Sequence, residues 1–372
     1  MAEKGPGLID VGIVGAGVMG ASVAYWLTRM QPGLQVALVE RDRSFARASS
    51  ALSASSIRQQ FSTAINVRMS LFGAQFLREH GIAFNESGYL YLGEGFDDAH
   101  ALQKANGADV ALLSGAEMKR RFPWLYVDDV KQGSLGLSGE GWFDGQGLHS
   151  FFLRSARTQG ARMIHDEARS LRPSEIVLRS GTLRCRHIVN AAGPWARELA
   201  AGAGIDLPVR ARRRTVFVLS CPAKLERCPL VIDPSGFWFR PDGEVFIAGD
   251  EPVLDEDDLP LEPQLAEFDE TLWERMAHRV PAFEALRVER AWAGYYEMNL
   301  FDGNAIIGAH PSRPGMWFIN GFSGHGLQHA AAAGRGLAEL ILHGAFRTLD
   351  LSPLSFQRIL ERKPLVEANI IG

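Results

Sequence analysis

Cysteine is scarce in this chain: Cys185, Cys221 and Cys228 are the only three in 372 residues. Their spacing forms neither a metal-binding pair nor a disulfide framework. The pair in CPAKLERC reads as two ordinary thiols, as expected in a reducing cytoplasm. Long apolar runs are also missing. None reaches the roughly 18 residues of a membrane span, and MAEKGPGLID lacks the apolar core of a secretion signal. Nor does one charge dominate. Lys and Arg number 39 against 43 Asp and Glu, a formal net charge of -4 that disfavours non-specific nucleic-acid binding. There is no internal repeat and no long low-complexity tract. With 46% hydrophobic residues the composition is that of an ordinary globular protein, and the length allows two domains.

The local patterns are informative. LIDVGIVGAGVMGASVAYWLTRM predicts a strand, a tight glycine turn and a helix, and LQVALVE a second strand apolar enough to be buried on both faces. TAINVRMSLFGAQFLREH has helical spacing, with Val67, Leu71, Ala74 and Leu77 on one side. GLHSFFLRSARTQGARMIHDEARSL predicts helix then strand, and LRCRHIVNAAGPWARELAAGAG strand, glycine turn and helix. MWFINGFSGHG and LQHAAAAGRGLAELILHG repeat that last arrangement. In between, GYLYLG, RTVFVLS, GFWFRPDG and EVFIAGD alternate like antiparallel strands, and LAEFDETLWERMAHRVPAF predicts an amphipathic helix. The fold class expected is α/β, with a Rossmann-like nucleotide-binding domain interleaved with an antiparallel-sheet domain. The first takes residues 1–85, 142–208 and 294–372, the second 86–141 and 209–293.

Gly15, Gly17 and Gly20 form G-x-G-x-x-G between strand and helix. The first glycine allows the turn, the second lets a pyrophosphate approach the backbone, and the third lets helix and strand pack closely. The helix start offers N–H groups to the phosphates. Glu40 closes the second strand about 20 residues after Gly20, where a carboxylate accepts both ribose hydroxyls. An acid there argues against NADP, while the triplet alone does not separate NAD from FAD.

The chain resembles the FAD-dependent amine oxidoreductases of the D-amino-acid oxidase and sarcosine oxidase family over nearly its whole length. The resemblance is carried by GIVGAGVMGASVAYWL, IVNAAGPWARELA and NGFSGHGLQHAAAAGRGLAELI, and RQQFS and RAWAGYYEMN are similar to the subgroup of FAD-dependent oxidoreductase-domain proteins. It implies an FAD-binding domain, a substrate domain and a set of cofactor residues. Beside the glycine turn these are Val18, Met19 and, next to Glu40, Arg41. The serine-rich stretch SSALSASSIRQQF supplies Ser49, Ser50, Ser55 and Ser56, whose small side chains and hydroxyls suit close contact with pyrophosphate and ring. Ala168, then Ala191, Ala192, Gly193 and Trp195 of NAAGPW, come from the middle of the chain. Gly294, Gly321, Ser323, Gly324, His325, Gly326, Leu327 and Gln328 come from its last third. The amides of FSGHG are expected to face the pyrimidine edge of the flavin, with the following helix favouring negative charge there; as a plain helix start the loop would use Ser323 as N-cap. Some sarcosine oxidases attach flavin through a cysteine where this chain has Gly294, so the FAD is expected to be non-covalent.

The resemblance implies oxidation of the C–N bond of a small amino acid or N-alkyl amino acid, with hydride passing to flavin N5. Arg58 stands where sarcosine oxidases place a carboxylate-binding arginine. Tyr296 would orient the amine or carboxylate, and Gln328 replaces a lysine of those enzymes. Gln59 and Gln328 would then give neutral hydrogen bonds. Ile247 occupies the approximate place of a lysine that helps oxidases use oxygen, so electrons are expected to leave to a quinone or carrier protein rather than to oxygen. A 2-hydroxy-acid dehydrogenase on the same fold, or an FAD-stabilised assembly protein with little turnover, are the alternatives. No metal site is expected from His325 and His329. The basic run Arg210–Thr215 reads as a solvated strand entry, and Trp142, Trp238 and Trp292 as core or cavity walls.

Overall fold

The computed structural model describes residues 8–370. The chain divides into two compact units, one of Met1–Ala51, Gly145–Ala211 and Glu297–Val366, the other of Leu52–Asp144, Arg212–Tyr296 and Glu367–Gly372. This division differs from the sequence expectation chiefly in residues 52–85, which join the second unit. The expected bounds at 1–7 and 371–372 lie outside the described residues. Among the described residues no helix is long and apolar enough to cross a membrane.

The first unit is built on an eight-stranded sheet. Its parallel part runs in the order Met316–Asn320, Gly181–Asn190, Ile9–Val14, Val36–Glu40, Arg162–His165. The β-branched, apolar strands at its centre are buried almost throughout, as in sheets covered on both faces. Ile306–Ala309 pairs antiparallel with Met316–Asn320, and Glu175–Leu178 with the start of Gly181–Asn190. The helix Val18–Met30 lies against Gly326–His343. The run of alanines and glycines in the latter is what allows this approach. A Cβ on Gly334 would overlap Ser22, whose hydroxyl donates to the Ala330 carbonyl at 2.7 Å. Trp26 adds an Nε1–H bond to the Ala331 carbonyl at 3.0 Å.

The second unit holds another eight-stranded sheet, mostly antiparallel, in which Leu230–Ile232 runs parallel to Tyr89–Gly93. One face buries Phe217, Phe237, Phe239, Phe246 and Phe283, and a second cluster gathers Val216, Val218, Trp238 and Ile247. The amphipathic stretch 265–283 is not one helix. It forms a wide turn at Phe268–Leu272 and a helix at Trp273–Arg279, then tightens at Pro281–Ala285, where Pro281 cannot continue the hydrogen-bond ladder. The basic run is not a solvated strand entry either. Arg212, Arg213 and Arg214 are largely buried, and Arg212 pairs with Asp255 and Asp257, Arg214 with Asp255 at 2.7 Å. Buried guanidinium groups need such partners.

The helix contact gives a direct test. Gly334→Ala should lower the unfolding free energy by about 1–3 kcal/mol, the usual cost of overpacking, because part of the clash is with the Ser22 backbone. Urea titration followed by circular dichroism checks it; an unchanged midpoint would show that the two helices can separate without loss.

Candidate functional site

Residues expected at the site fall in both units. Within the first, the glycine turn has three different glycines. Gly15 has φ +94°, and a Cβ there would overlap the Ala191 carbonyl; on Gly20 it would overlap the Gly15 carbonyl. Both are required by the fold itself. At Gly17 a Cβ would meet only Ser50 Oγ, at 3.6 Å. Packing does not demand a glycine there, whereas a pyrophosphate lying on the turn does. Glu40 accepts from the Ala16 N–H at 3.0 Å and from the Asp42 N–H at 2.9 Å, one bond to each oxygen. A carboxylate has about four acceptor sites, so ribose hydroxyls have sites left. Ser49 Oγ is buried with no partner among the described residues, as suits a hydroxyl whose acceptor is a ligand. These residues fit FAD.

The later segments close on the same turn. The Ala191 N–H donates to the Val14 carbonyl at 2.9 Å, and Asn190 braces the loop through the Ala192 N–H and the Ala196 carbonyl. Arg41 stacks on the Trp195 ring at 4.1 Å, joining two residues from distant motifs. A Cβ on Gly326 would come within 3.1 Å of Met19 Cε. Ser323 does not cap the last helix: its Oγ accepts from the Asn299 N–H at 3.0 Å, and His325 stands at the cap. Gly324 has φ +91°. His325, Leu327 and Gln328 are buried. Ala168 opens a short antiparallel strand and is half-buried.

Two residues here escaped the sequence reading. His149 Nε2 lies 2.8 Å from the Ala16 carbonyl, and burial lowers its pKa. Glu297 is buried, with Oε2 unpartnered among the described residues and near the position a Gly193 Cβ would take. Burial pushes its carboxyl up to about 7, against the pull of the Gly321 and Phe322 amides. Its place directly after Tyr296 was visible, but its burial was not.

Within the second unit the serine stretch is pinned rather than loose. Trp292 Nε1–H donates to the Leu52 carbonyl at 2.8 Å, and Arg240 to the Ala54 carbonyl at 2.9 Å. Ser55 has φ +55°, and Ser56 pairs with Trp142. A Cβ on Gly294 would press on Leu52 at 3.2 Å, a packing reason for that glycine. Arg58 is buried and stacks on Phe61 at 3.9 Å; its Nη1 donates to the Gln60 carbonyl at 2.6 Å and its Nη2 to the Asn369 carbonyl. Gln59 is engaged within the protein. Its amide is engaged by the Ser138 carbonyl and the Asp109 N–H, and its own N–H by Glu140 Oε1 at 2.6 Å. These bonds hold loops together. Tyr296 is raised in pKa by burial, with Arg214 and Arg58 pulling it down, and Arg214 lies 5.2 Å over its ring. Glu140 is pushed up to about 7 by burial, despite bonds from Gln60 and Gln59 and the charge of Arg58.

The family described as FAD dependent oxidoreductase (DAO) matches residues 10–340. FAD-dependent oxidoreductase domain-containing protein 1 of Xenopus laevis is 41% identical, covering 98% of this chain and 85% of its own length. Human mitochondrial sarcosine dehydrogenase is 26% identical over 66% of this chain and 28% of its own. Among solved structures, L-proline dehydrogenase from P. horikoshii superposes with a TM-score of 0.87 at 24% identity, covering 96% and 100% of the two chains. Glycine oxidase from Geobacillus kaustophilus gives 0.79 at 24% identity, covering 94% and 98%.

The contrast between glycines predicts separable effects. Gly17→Ala should leave the apoprotein within about 1 kcal/mol of wild type, the scale of a changed helix cap, yet weaken FAD; Gly20→Ala should lose stability as well. Chemical denaturation of the apoprotein and FAD titration by flavin fluorescence separate the two, and equal stability losses would remove the ligand explanation for Gly17.

A second test concerns pH. The folded pKa of Glu297 lies above its ordinary value of 4.5. The stability it contributes is therefore complete below about pH 4.5 and lost as pH rises through about 7. In apoprotein unfolding measured from pH 4.5 to 8, Glu297→Gln should flatten part of that decline, and an identical slope in the variant would contradict the assignment.

Proposed function

The chain belongs to the DAO family of FAD-dependent oxidoreductases, and from that premise we propose that it oxidises the C–N bond of a small amino acid or N-alkyl amino acid. The observation that carries this reading is the buried guanidinium of Arg58, fixed by backbone carbonyls at Gln60 and Asn369. A planar fork so fixed suits bidentate capture of a carboxylate. The names of similar proteins point the same way: sarcosine, proline and glycine each carry a carboxylate beside an amine.

FAD, held non-covalently at Gly17, Glu40 and Ser49, would supply the hydride acceptor for the carbon next to nitrogen, leaving an imine that hydrolyses. The protein's task is to bind and orient. Arg58 takes the carboxylate. The Tyr296 hydroxyl, its pKa raised by burial, stays protonated and donates to substrate. Gln328 supplies a neutral hydrogen bond. The amine reacts neutral, and no protein base is assigned. Ile247 is a buried aliphatic residue where oxidases carry the lysine that helps oxygen accept charge, which supports a dehydrogenase passing electrons to a quinone or carrier. The three cysteines are free thiols, which suits the cytoplasm as a reducing location.

Anaerobic mixing with a panel of amino, N-methylamino and 2-hydroxy acids tests the proposal by bleaching of the flavin. Bleaching by amino acids is expected, and bleaching by hydroxy acids alone would replace the substrate class. Air admitted to the reduced protein should reoxidise it slowly. Arg58→Ala should keep its FAD and lose about 2–4 kcal/mol of transition-state binding, the scale seen when a buried charged partner is left alone.

A further inference from the structure

Residues 367–369 lie about 300 positions beyond the Arg58 loop, yet bind it along its length. Glu367 is 3% exposed. Its Oε1 accepts from the Ser62 N–H at 2.8 Å and the Ser62 hydroxyl at 2.7 Å. Its Oε2 accepts from the Thr63 N–H at 3.2 Å, the Thr63 hydroxyl at 2.8 Å and Asn66 Nδ2 at 3.0 Å. Thr63 stands at the N-cap of the helix Ala64–Glu79 but makes no capping bond of its own. Glu367 thus accepts from the Thr63 N–H at this helix start and from the Asn66 side chain in its first turn, and its charge suits the positive end of the helix. The next residues continue the contact. The Ala368 N–H donates to Ser62 Oγ at 2.8 Å, and Asn369 Nδ2 to the Gln60 carbonyl at 3.2 Å. That same Gln60 carbonyl accepts from Arg58 Nη1, and the Asn369 carbonyl accepts from Arg58 Nη2. The guanidinium is thus held on one side by its own loop and on the other by a segment that Glu367 anchors.

We propose that Glu367 is a positioning residue: by anchoring residues 367–369 to Ser62, Thr63 and Asn66, it sets the plane in which Arg58 meets the substrate carboxylate. This rests on the assignment of Arg58 as the carboxylate-binding group. A carboxylate that only tied down a chain segment would affect melting and nothing else. One that positions Arg58 affects carboxylate affinity while the cofactor stays in place.

The experiment uses the full-length, FAD-loaded protein and titrates acetate, with acetamide as the neutral control, following the flavin absorbance. FAD content and thermal melting are recorded for every variant. Glu367→Ala should raise the acetate Kd on the order of tenfold or more, as small misplacements of a binding group do, at full FAD content and with acetamide unaffected. Glu367→Gln keeps one carbonyl acceptor and should fall between wild type and Glu367→Ala. An unchanged acetate Kd, with only the melting temperature lowered, overturns the proposal. Should Glu367→Ala fail to hold FAD, Glu367→Gln is judged by the same criterion. Arg58→Ala runs alongside. If it binds acetate as tightly as wild type, the carboxylate assignment itself is wrong and the positioning role falls with it; if it loses acetate while both Glu367 variants retain it, only the positioning role is wrong.

Discussion

The approach of Gly20 to the Gly15 carbonyl, with no room for a single methyl between them, is the constraint on which the first unit turns. It brings the helix Val18–Met30 onto the end of the strand Ile9–Val14. The Ala191 carbonyl fills the space on the other side of Gly15. Two strand ends and a helix start thereby converge where their amides cannot all be satisfied by the protein. Glu40 takes one of these amides, that of Ala16, and remains available to a ribose. The chemistry of the turn follows from packing that leaves backbone as the only surface small enough to present.

The second unit buries several charged groups. Arg58, Arg214 and Arg240 sit among aromatic rings and carbonyl oxygens, and Glu140 lies fully buried beside Gln59 and Gln60. Such groups are costly to bury. They recur around the segments from Leu52 to Asn66 and from Arg212 to Tyr296.

The readable parts of the sequence were those in which a motif and its consequence lie close together. G-x-G-x-x-G, the acid at the end of VALVE and the glycines of NGFSGHG each act within a few residues, and their local geometry follows from their own backbone requirements. The α/β class was legible for the same reason. What stayed hidden depends on distant partners. The arginines of RARRRT read as solvated because Asp255 and Asp257 are some forty positions away. The bonds of Gln59 to Asp109 and Ser138 could not be seen from its own position in the chain. Glu297 was an acid in a strand, and only the fold shows that it is buried against Gly321 and Phe322. The division at Ala51 was missed because the serine stretch has no composition shift there; Trp292 and Arg240 hold its second half by backbone carbonyls that any residue would offer.

The order of strands in the first unit has a consequence for how the chain is made. Gly181–Asn190 lies between Ile9–Val14 and Met316–Asn320, so one flank of the parallel sheet is completed only by residues more than 300 positions from its first strand. Until those residues leave the ribosome, the apolar edge of Gly181–Asn190 has no neighbour, and the helix Val18–Met30 has no Gly326–His343 to cover it. Pairing across such separations is slow, and the waiting surfaces are prone to aggregate. The first unit can finish folding only after Met316–Asn320 and Gly326–His343 have emerged.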